Sequence, residues 1–414
     1  MAEFQRKQVT TLLSRLAEEP HAIIAVFGPR QTGKSTLVRQ ALRQCGRPNS
    51  MFILDAPTRE SDYVLEDHLN DRPQKPDFRW LVEVWREARK KADTHPKGFV
   101  LVLDEIQVIP DWSSIVKGLW DEDRAEDRNL HVVILGSAPL LIQSGLSESL
   151  TGRIERLKVS HWSFPEMAQA FDWDLQKYVY FGGYPGSVRF INEEVRWKEH
   201  VINSIIEPIT QREFLAMTRV RKPALLQNVF TLATQYSGQI LAYSKMLGQL
   251  HDAGNATTLA NYLSLLATVG AVGGLQKYSD PNQRIRASSP KLLVYNNALM
   301  SVNANYTFES AQADRSHWGR LTESAVGAHI LNSTTVDIRA YYWRESPYDV
   351  DFVLTRGPHK IAIEVTSGRK IGKQPGLNEF QEKYKADRVI IISEKHTPLV
   401  EFLSMPLERW FDNP

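Results

Sequence analysis

Between residues 22 and 137, apolar positions come in short β-rich runs separated by longer stretches of helical periodicity. That order is expected of helices packed on a mainly parallel sheet. The spacing predicts strands at Ala22–Phe27, Met51–Leu54, Phe99–Leu103 and His131–Leu135 and a helix at Phe78–Lys91. Two breakers bound that helix, Asp71-Arg72-Pro73-Gln74-Lys75-Pro76 and His95-Pro96-Lys97-Gly98, since Pro and Gly interrupt both periodicities. After Ser160 the pattern turns helical. Phe181-Gly182-Gly183-Tyr184-Pro185-Gly186 interrupts it, and a run from Glu193 to about Met217 resumes it, a stretch that suits a lid. From Pro223 to Tyr278 three short helices precede a Gly-rich β-like segment starting at Val269. Mixed α/β character returns from about Lys291, with a helix expected at Glu323–Asn332 and strands at Ile338–Trp343, Val350–Thr355, Ile361–Val365 and Val389–Ile392. The expected division is 1–160, 161–220, 221–290 and 291–414.

Bulk numbers change this picture little. A chain of 414 residues favours two to four domains. Hydrophobic residues at 42% and charged residues at 24% exclude long disorder and a fibrous chain. The longest apolar runs, Ala22–Phe27 and Phe99–Leu103, fall far below a bilayer span, so no membrane segment is expected. The amino terminus lacks the apolar stretch of a secretory signal, and the single Cys45 allows no internal disulfide; both suit a cytoplasmic protein. A net charge of +2 leaves nucleic-acid binding to be decided by local charge.

The chemistry concentrates early. Gly28-Pro29-Arg30-Gln31-Thr32-Gly33-Lys34-Ser35-Thr36 has the full phosphate-loop spacing between an apolar strand and an amphipathic helix. Its glycines let backbone N–H groups wrap the phosphates of ATP, Lys34 reaches the β- and γ-phosphates, and Ser35 offers a hydroxyl to Mg²⁺. About seventy residues on, Asp104 and Glu105 end an apolar strand. Asp104 is expected to hold Mg²⁺ through water and Glu105 to orient or activate the attacking water. Ser137, at the end of the next strand, is a candidate γ-phosphate sensor or a simple helix cap. Arg153 stands either as a cation for the developing phosphoryl charge, in cis or in trans, or as a solvent-facing arginine.

Between Arg221 and Lys291 seven cations (Arg221, Lys222, Lys245, Lys277, Arg284, Arg286, Lys291) face two acids (Asp252, Asp280), a local charge of +5. Helix, helix, turn, third helix and β-like wing is a helix-turn-helix order. The third helix is expected to show Thr257, Thr258 and Asn261 and to bury Leu259, Tyr262, Leu263 and Leu266. It carries no Arg or Lys, so contact with duplex DNA would be mainly to phosphates.

GPRQTGKST, LDEIQ, GSA and LTGR, with FGGYP further on, resemble one family: prokaryotic AAA-type ATPases with a poorly characterised carboxyl-terminal domain. The resemblance implies an α/β P-loop NTPase core (1–160), a helical lid (161–220), a winged helix (221–290) and a restriction-endonuclease-like domain (291–414). It makes Arg30 and Gln31 part of the phosphate loop, Gln107 part of the second motif, Arg153 a γ-phosphate arginine, and Gly183 and Pro185 lid-turn residues. In the last domain Glu323, Asp351 and Glu364 follow the layout in which nuclease carboxylates hold Mg²⁺, a possible second metal site. The position of the assisting lysine, however, is Thr366, and Arg369 and Lys370 lie beyond the strand. A nuclease-like fold kept for binding or assembly is expected. The alternatives are an ATP-gated Mg²⁺-dependent nuclease and a nucleotide-switched module that binds a protein partner or its own copies.

Overall fold

The computed structural model describes residues 4–54, 76–137, 150–213, 220, 222–250, 254–279, 288–366 and 374–412. Two compact units divide the chain, Met1–Val159 and Ser160–Pro414.

Aliphatic and β-branched runs build the sheet of the first unit: Ile23–Gly28 (β1), Asn49–Ile53 (β2), Phe99–Asp104 (β3), Leu130–Ser137 (β4) and Ile154–Lys158 (β5). The order is β2-β3-β4-β1-β5, with every pairing parallel. β3 and β4 are buried at every residue, which is why they appear as unbroken apolar runs. β5 escaped the sequence reading because Ile154-Glu155-Arg156-Leu157-Lys158 mixes charged and apolar residues, as a sheet edge does.

Helices cover both faces. Lys7–Ala17 and Lys34–Gln44 bury Leu12, Leu16, Leu37 and Val38 against Ile24, Val26 and Val133. Phe78–Thr94 and Trp112–Ala125 bury Leu81, Trp85, Val116 and Trp120 against Leu101, Leu103 and Ile134. Each fully buried aliphatic side chain contributes about 1.5–3 kcal/mol relative to exposure. The strand ends are thereby fixed.

His131, near the start of β4, is 2% exposed; its Nε2 lies 3.0 Å from the Glu18 carbonyl and its Nδ1 is buried with no partner among the described residues. Burial pushes the imidazole down to about 4, against roughly 6.5 in an unfolded chain. A depressed histidine contributes stability above the unfolded value and loses it as pH falls through the folded one. Thermal unfolding across that range should therefore fall less steeply in His131→Leu than in the parental chain, by up to about 3 kcal/mol at the acid end. Equal slopes would mean that His131 does not govern the acid limb.

In the second unit a six-stranded mixed sheet is formed by Val272–Lys277 (β6), Lys291–Val294 (β7), Ile338–Glu345 (β8), Tyr348–Arg356 (β9), His359–Val365 (β10) and Arg388–Ile392 (β11). Its order is β11-β10-β9-β8-β6-β7. The expected cuts at 220 and 290 fall inside this unit. Helices Pro223–Gln235 and Ala256–Thr268 share one core with Trp197, Val201 and Ile205, and β6 pairs antiparallel with β7 and parallel with β8. Turn signals marked the loops but carried no information about which strands pair across them. Leu259, Tyr262, Leu263 and Leu266 are buried, while Thr257 and Asn261 are exposed and Thr258 is half-buried.

The expected run from Glu193 is helical over Glu194–Val201 and then widens to π-helical turns at Ile202–Ile206 and Pro208–Glu213. The Gly182-Gly183 pair serves packing. A Cβ on Gly183 would stand 2.2 Å from the Trp162 carbonyl, and the Gly183 N–H donates to Asn296 Oδ1 at 3.1 Å. Gly182 has φ +70°, open to glycine at little cost.

Candidate active site

β1 ends at Gly28, and the chain turns into the helix starting at Lys34. Gly28 is imposed by a close approach: Val159 N–H donates to the Phe27 carbonyl at 2.8 Å, and the Val159 carbonyl lies 1.9 Å from where a Cβ on Gly28 would be. Across the loop Pro29 to Gly33, Gln31 (φ 55°) and Gly33 (φ 84°) take left-handed conformations. Thr32 Oγ1 donates to the Pro29 carbonyl at 2.9 Å, and Arg6 donates to the Thr32 carbonyl at 3.3 Å. Arg6 is a brace from before the first helix that no local motif announced. Lys34 Nζ donates to the carbonyls of Gly28 (3.1 Å) and Pro29 (2.8 Å), which holds the ammonium over the loop. The first-turn N–H groups, at Lys34, Ser35 and Thr36, have no intrahelical acceptors and form the positive end of the helix.

β4 lies between β1 and β3, so the ends of all three strands converge. Register places Ser137 beside Gly28 and Leu135 beside Asp104. Ser35 Oγ donates to Asp104 Oδ2 at 2.6 Å, tying the helix start to the end of β3. Glu105 takes φ 60°, a left-handed conformation that costs a non-glycine residue about 1–3 kcal/mol and is typical of functional positions. Its N–H donates to the Leu135 carbonyl at 2.9 Å, and its carboxylate accepts a short hydrogen bond from Gln107. Burial pushes both carboxyls up. For Asp104 the Ser35 hydrogen bond and Lys34 oppose this, whereas for Glu105 the charge of Asp104 adds to it. Ser137 Oγ is buried with no hydrogen-bond partner among the described residues. A hydroxyl on a buried carboxylate, a lysine on the loop and a buried serine hydroxyl with no partner among the described residues are groups that could bind a nucleoside triphosphate and Mg²⁺. Ser35 and Asp104 would hold the metal.

Residues 20–168 match the AAA domain. The first unit is therefore an α/β P-loop core of AAA type. Residues 172–308 and 318–409 match two domains of unknown function, DUF8612 and DUF4143. An uncharacterized protein of Haemophilus influenzae is 25% identical over 293 residues, covering 67% of this chain and 68% of its own. Among solved structures, the Walker-type ATPase of Pyrococcus abyssi is 17% identical with a TM-score of 0.48, covering 72% of this chain and 95% of its own. The RuvB Holliday junction branch migration motor of Thermotoga maritima is 14% identical with a TM-score of 0.31, covering 65% and 89%.

Within the AAA domain, Arg153 corrects one expectation. Ile154 pairs with Ile23, at the opposite end of β1 from Gly28. The five residue steps from Ile23 to Gly28 amount to about 16 Å of strand. Asp121 moreover clamps the guanidinium, at 2.6 Å to Nε and 2.9 Å to Nη2. Arg153 thus does not serve the nucleotide site of its own chain.

The second candidate metal site is also corrected. Among the described residues no group of three or more His, Cys, Asp or Glu side chains could hold a metal ion. Glu323 and Asp351 instead share the ammonium of Lys291, at 2.6 and 2.9 Å. Thr366 stands at the nuclease-lysine position and donates its N–H to the Ile392 carbonyl at 3.0 Å; Arg369 and Lys370 lie outside the described residues. Among the described residues no helix is long and apolar enough to cross a membrane.

Proposed function

We propose that this chain is a Mg²⁺-dependent ATPase whose nucleotide state acts as a conformational switch, linked to duplex DNA through a winged helix in residues 221–291. The observation that carries the reading is the Ser35–Asp104 hydrogen bond, with Glu105 beside it in a left-handed conformation and the Ser137 hydroxyl buried with no partner among the described residues. Lys34 turns its ammonium from the loop carbonyls to the β- and γ-phosphate oxygens. Glu105 orients a water and accepts its proton as the water oxygen bonds to the γ-phosphorus; the bond to the β–γ bridging oxygen breaks and ADP leaves. A raised carboxyl is the stronger base for this, provided it is ionised. Ser137 Oγ donates to the γ-phosphate and distinguishes ATP from ADP. Mg²⁺, when bound through Ser35 and Asp104, neutralises phosphate charge.

The DNA link is supported by the exposed side of Ala256–Thr268, where Thr258, Asn261 and Ser264 line an open groove of about 570 Å³ beside Lys222. Lys245 is exposed and Lys277 half-buried; Arg221, Arg284 and Arg286 lie outside the described residues. Contact through such cations is to phosphates and weakens steeply with salt. The test is ATP hydrolysis with and without duplex DNA at two salt concentrations, with Lys34→Ala as the variant that loses nucleotide binding. Stimulation by DNA that fades at the higher salt is expected. Indifference to DNA at both salts would reassign this segment to protein docking.

A further inference from the structure

Lys291 opens β7, and its side chain is only 4% exposed. Backbone pairing fixes β7 on both sides. β6 runs antiparallel along one edge, while on the other Gly238 N–H donates to the Leu292 carbonyl (2.8 Å) and Leu292 N–H to the Gln239 carbonyl (2.9 Å). From that position Nζ donates to Glu323 Oε1 at 2.6 Å, to Asp351 Oδ1 at 2.9 Å and to the Asp351 carbonyl at 3.1 Å. An ammonium has three N–H donors, so all of them are used within the cluster and none remains for a substrate or a water. The Phe352 ring, 4.5 Å from Nζ, adds a favourable cation–π contact. The other Asp351 oxygen accepts the Val365 N–H at 3.0 Å.

A restriction-like nuclease would place Mg²⁺ on these carboxylates, and Mg²⁺ needs near-octahedral oxygens at about 2.0–2.1 Å. An ammonium seated on the same oxygens competes for them and repels a second cation. We infer that Lys291 is the resident cation of this cluster: its ammonium stands where a divalent ion would neutralise Glu323 and Asp351. The cluster then takes no metal while Lys291 is in place and becomes a divalent-cation site once the ammonium is removed. Charge balance agrees. Burial lowers the Lys291 ammonium, but Asp351 and Glu323 outweigh it and hold the group above its ordinary value. Burial and then the charge of Asp351 push Glu323 and Glu364 up. The inference is independent of the nucleotide site. It also removes Lys291 from the cations open to DNA.

The experiment is Mn²⁺ binding to the nucleotide-free full-length chain, followed by the electron paramagnetic resonance of the free ion. Parental, Asp351→Asn and Glu323→Gln chains should bind the same amount. Lys291→Met should bind one additional Mn²⁺ per chain, and Lys291→Met/Asp351→Asn should lose it. Mn²⁺ bound by the parental chain and lost in Asp351→Asn or Glu323→Gln would overturn the inference, as would a folded Lys291→Met that gains none. If Lys291→Met does not fold, the comparison of parental with Glu323→Gln decides: equal binding supports the inference and reduced binding overturns it.

Discussion

Glu105→Gln is expected to bind ATP as the parental chain does and to hydrolyse it about 10²–10⁴-fold more slowly, the range a positioned general base contributes. The amide keeps the size of the side chain, and it keeps a carbonyl oxygen to accept the Gln107 hydrogen bond. It also keeps the left-handed backbone, held by the Glu105 N–H on the Leu135 carbonyl. Only proton acceptance is lost. Nucleotide affinity and turnover, measured side by side, check this. A variant that turns ATP over at the parental rate would remove Glu105 from the mechanism, whereas one that no longer binds ATP would give it a structural role.

Asp123→Ala should cost the first unit about 3–5 kcal/mol, the typical price of leaving a buried ion pair without one partner. Asp123 is fully buried and joins three side chains: Trp85 Nε1 donates at 2.7 Å, Arg89 Nε at 2.6 Å and Arg128 Nη1 at 2.8 Å. It fastens Phe78–Thr94 to Trp112–Ala125, the two helices on the β3 face that carries Leu101 and Leu103. Alanine leaves the Trp85 indole N–H without its acceptor and removes the carboxylate that joins the two guanidinium groups, of which Arg89 keeps the Leu119 carbonyl and Glu122 and Arg128 keeps Asp93 and Glu126. For a unit of this size the loss corresponds to a drop of roughly 6–20 °C in Tm. Asp123→Asn keeps one acceptor oxygen and should fall between the two. Thermal unfolding reads the effect; a Tm within about 2 °C of the parental chain would show that the arginines find other acceptors.

Neither of these dependences was equally visible beforehand. The phosphate loop and Asp104-Glu105 were legible because each is a contiguous run whose chemistry needs nothing from elsewhere. Buried strands advertised β3 and β4 for the same reason. Asp123 gave no signal, since Trp85 and Arg89 come from a separate helix more than thirty residues upstream and an aspartate in an amphipathic helix normally faces solvent. For Arg153 the in-cis role could not be judged from sequence, because proximity to a motif says nothing of which end of the sheet a residue occupies; that follows from the pairing of β5 with β1. Lys291 was counted among the seven cations of the basic segment 221–291. Its true surroundings, Glu323 on the helix Arg315–Ser333 and Asp351 on β9, lie 32 and 60 residues away and meet it only in the folded unit. The left-handed φ of Glu105 likewise has no signature in residue type.

The central claim is that Ser35, Asp104 and Glu105 form a working hydrolytic site, and phosphate release from ATP by the purified full-length chain tests it most directly, with Mg²⁺ and with the metal chelated. Steady release with Mg²⁺ that stops on chelation, and that Lys34→Ala does not show, is the expected result. Tight ATP binding with no phosphate release in Mg²⁺ would contradict the account.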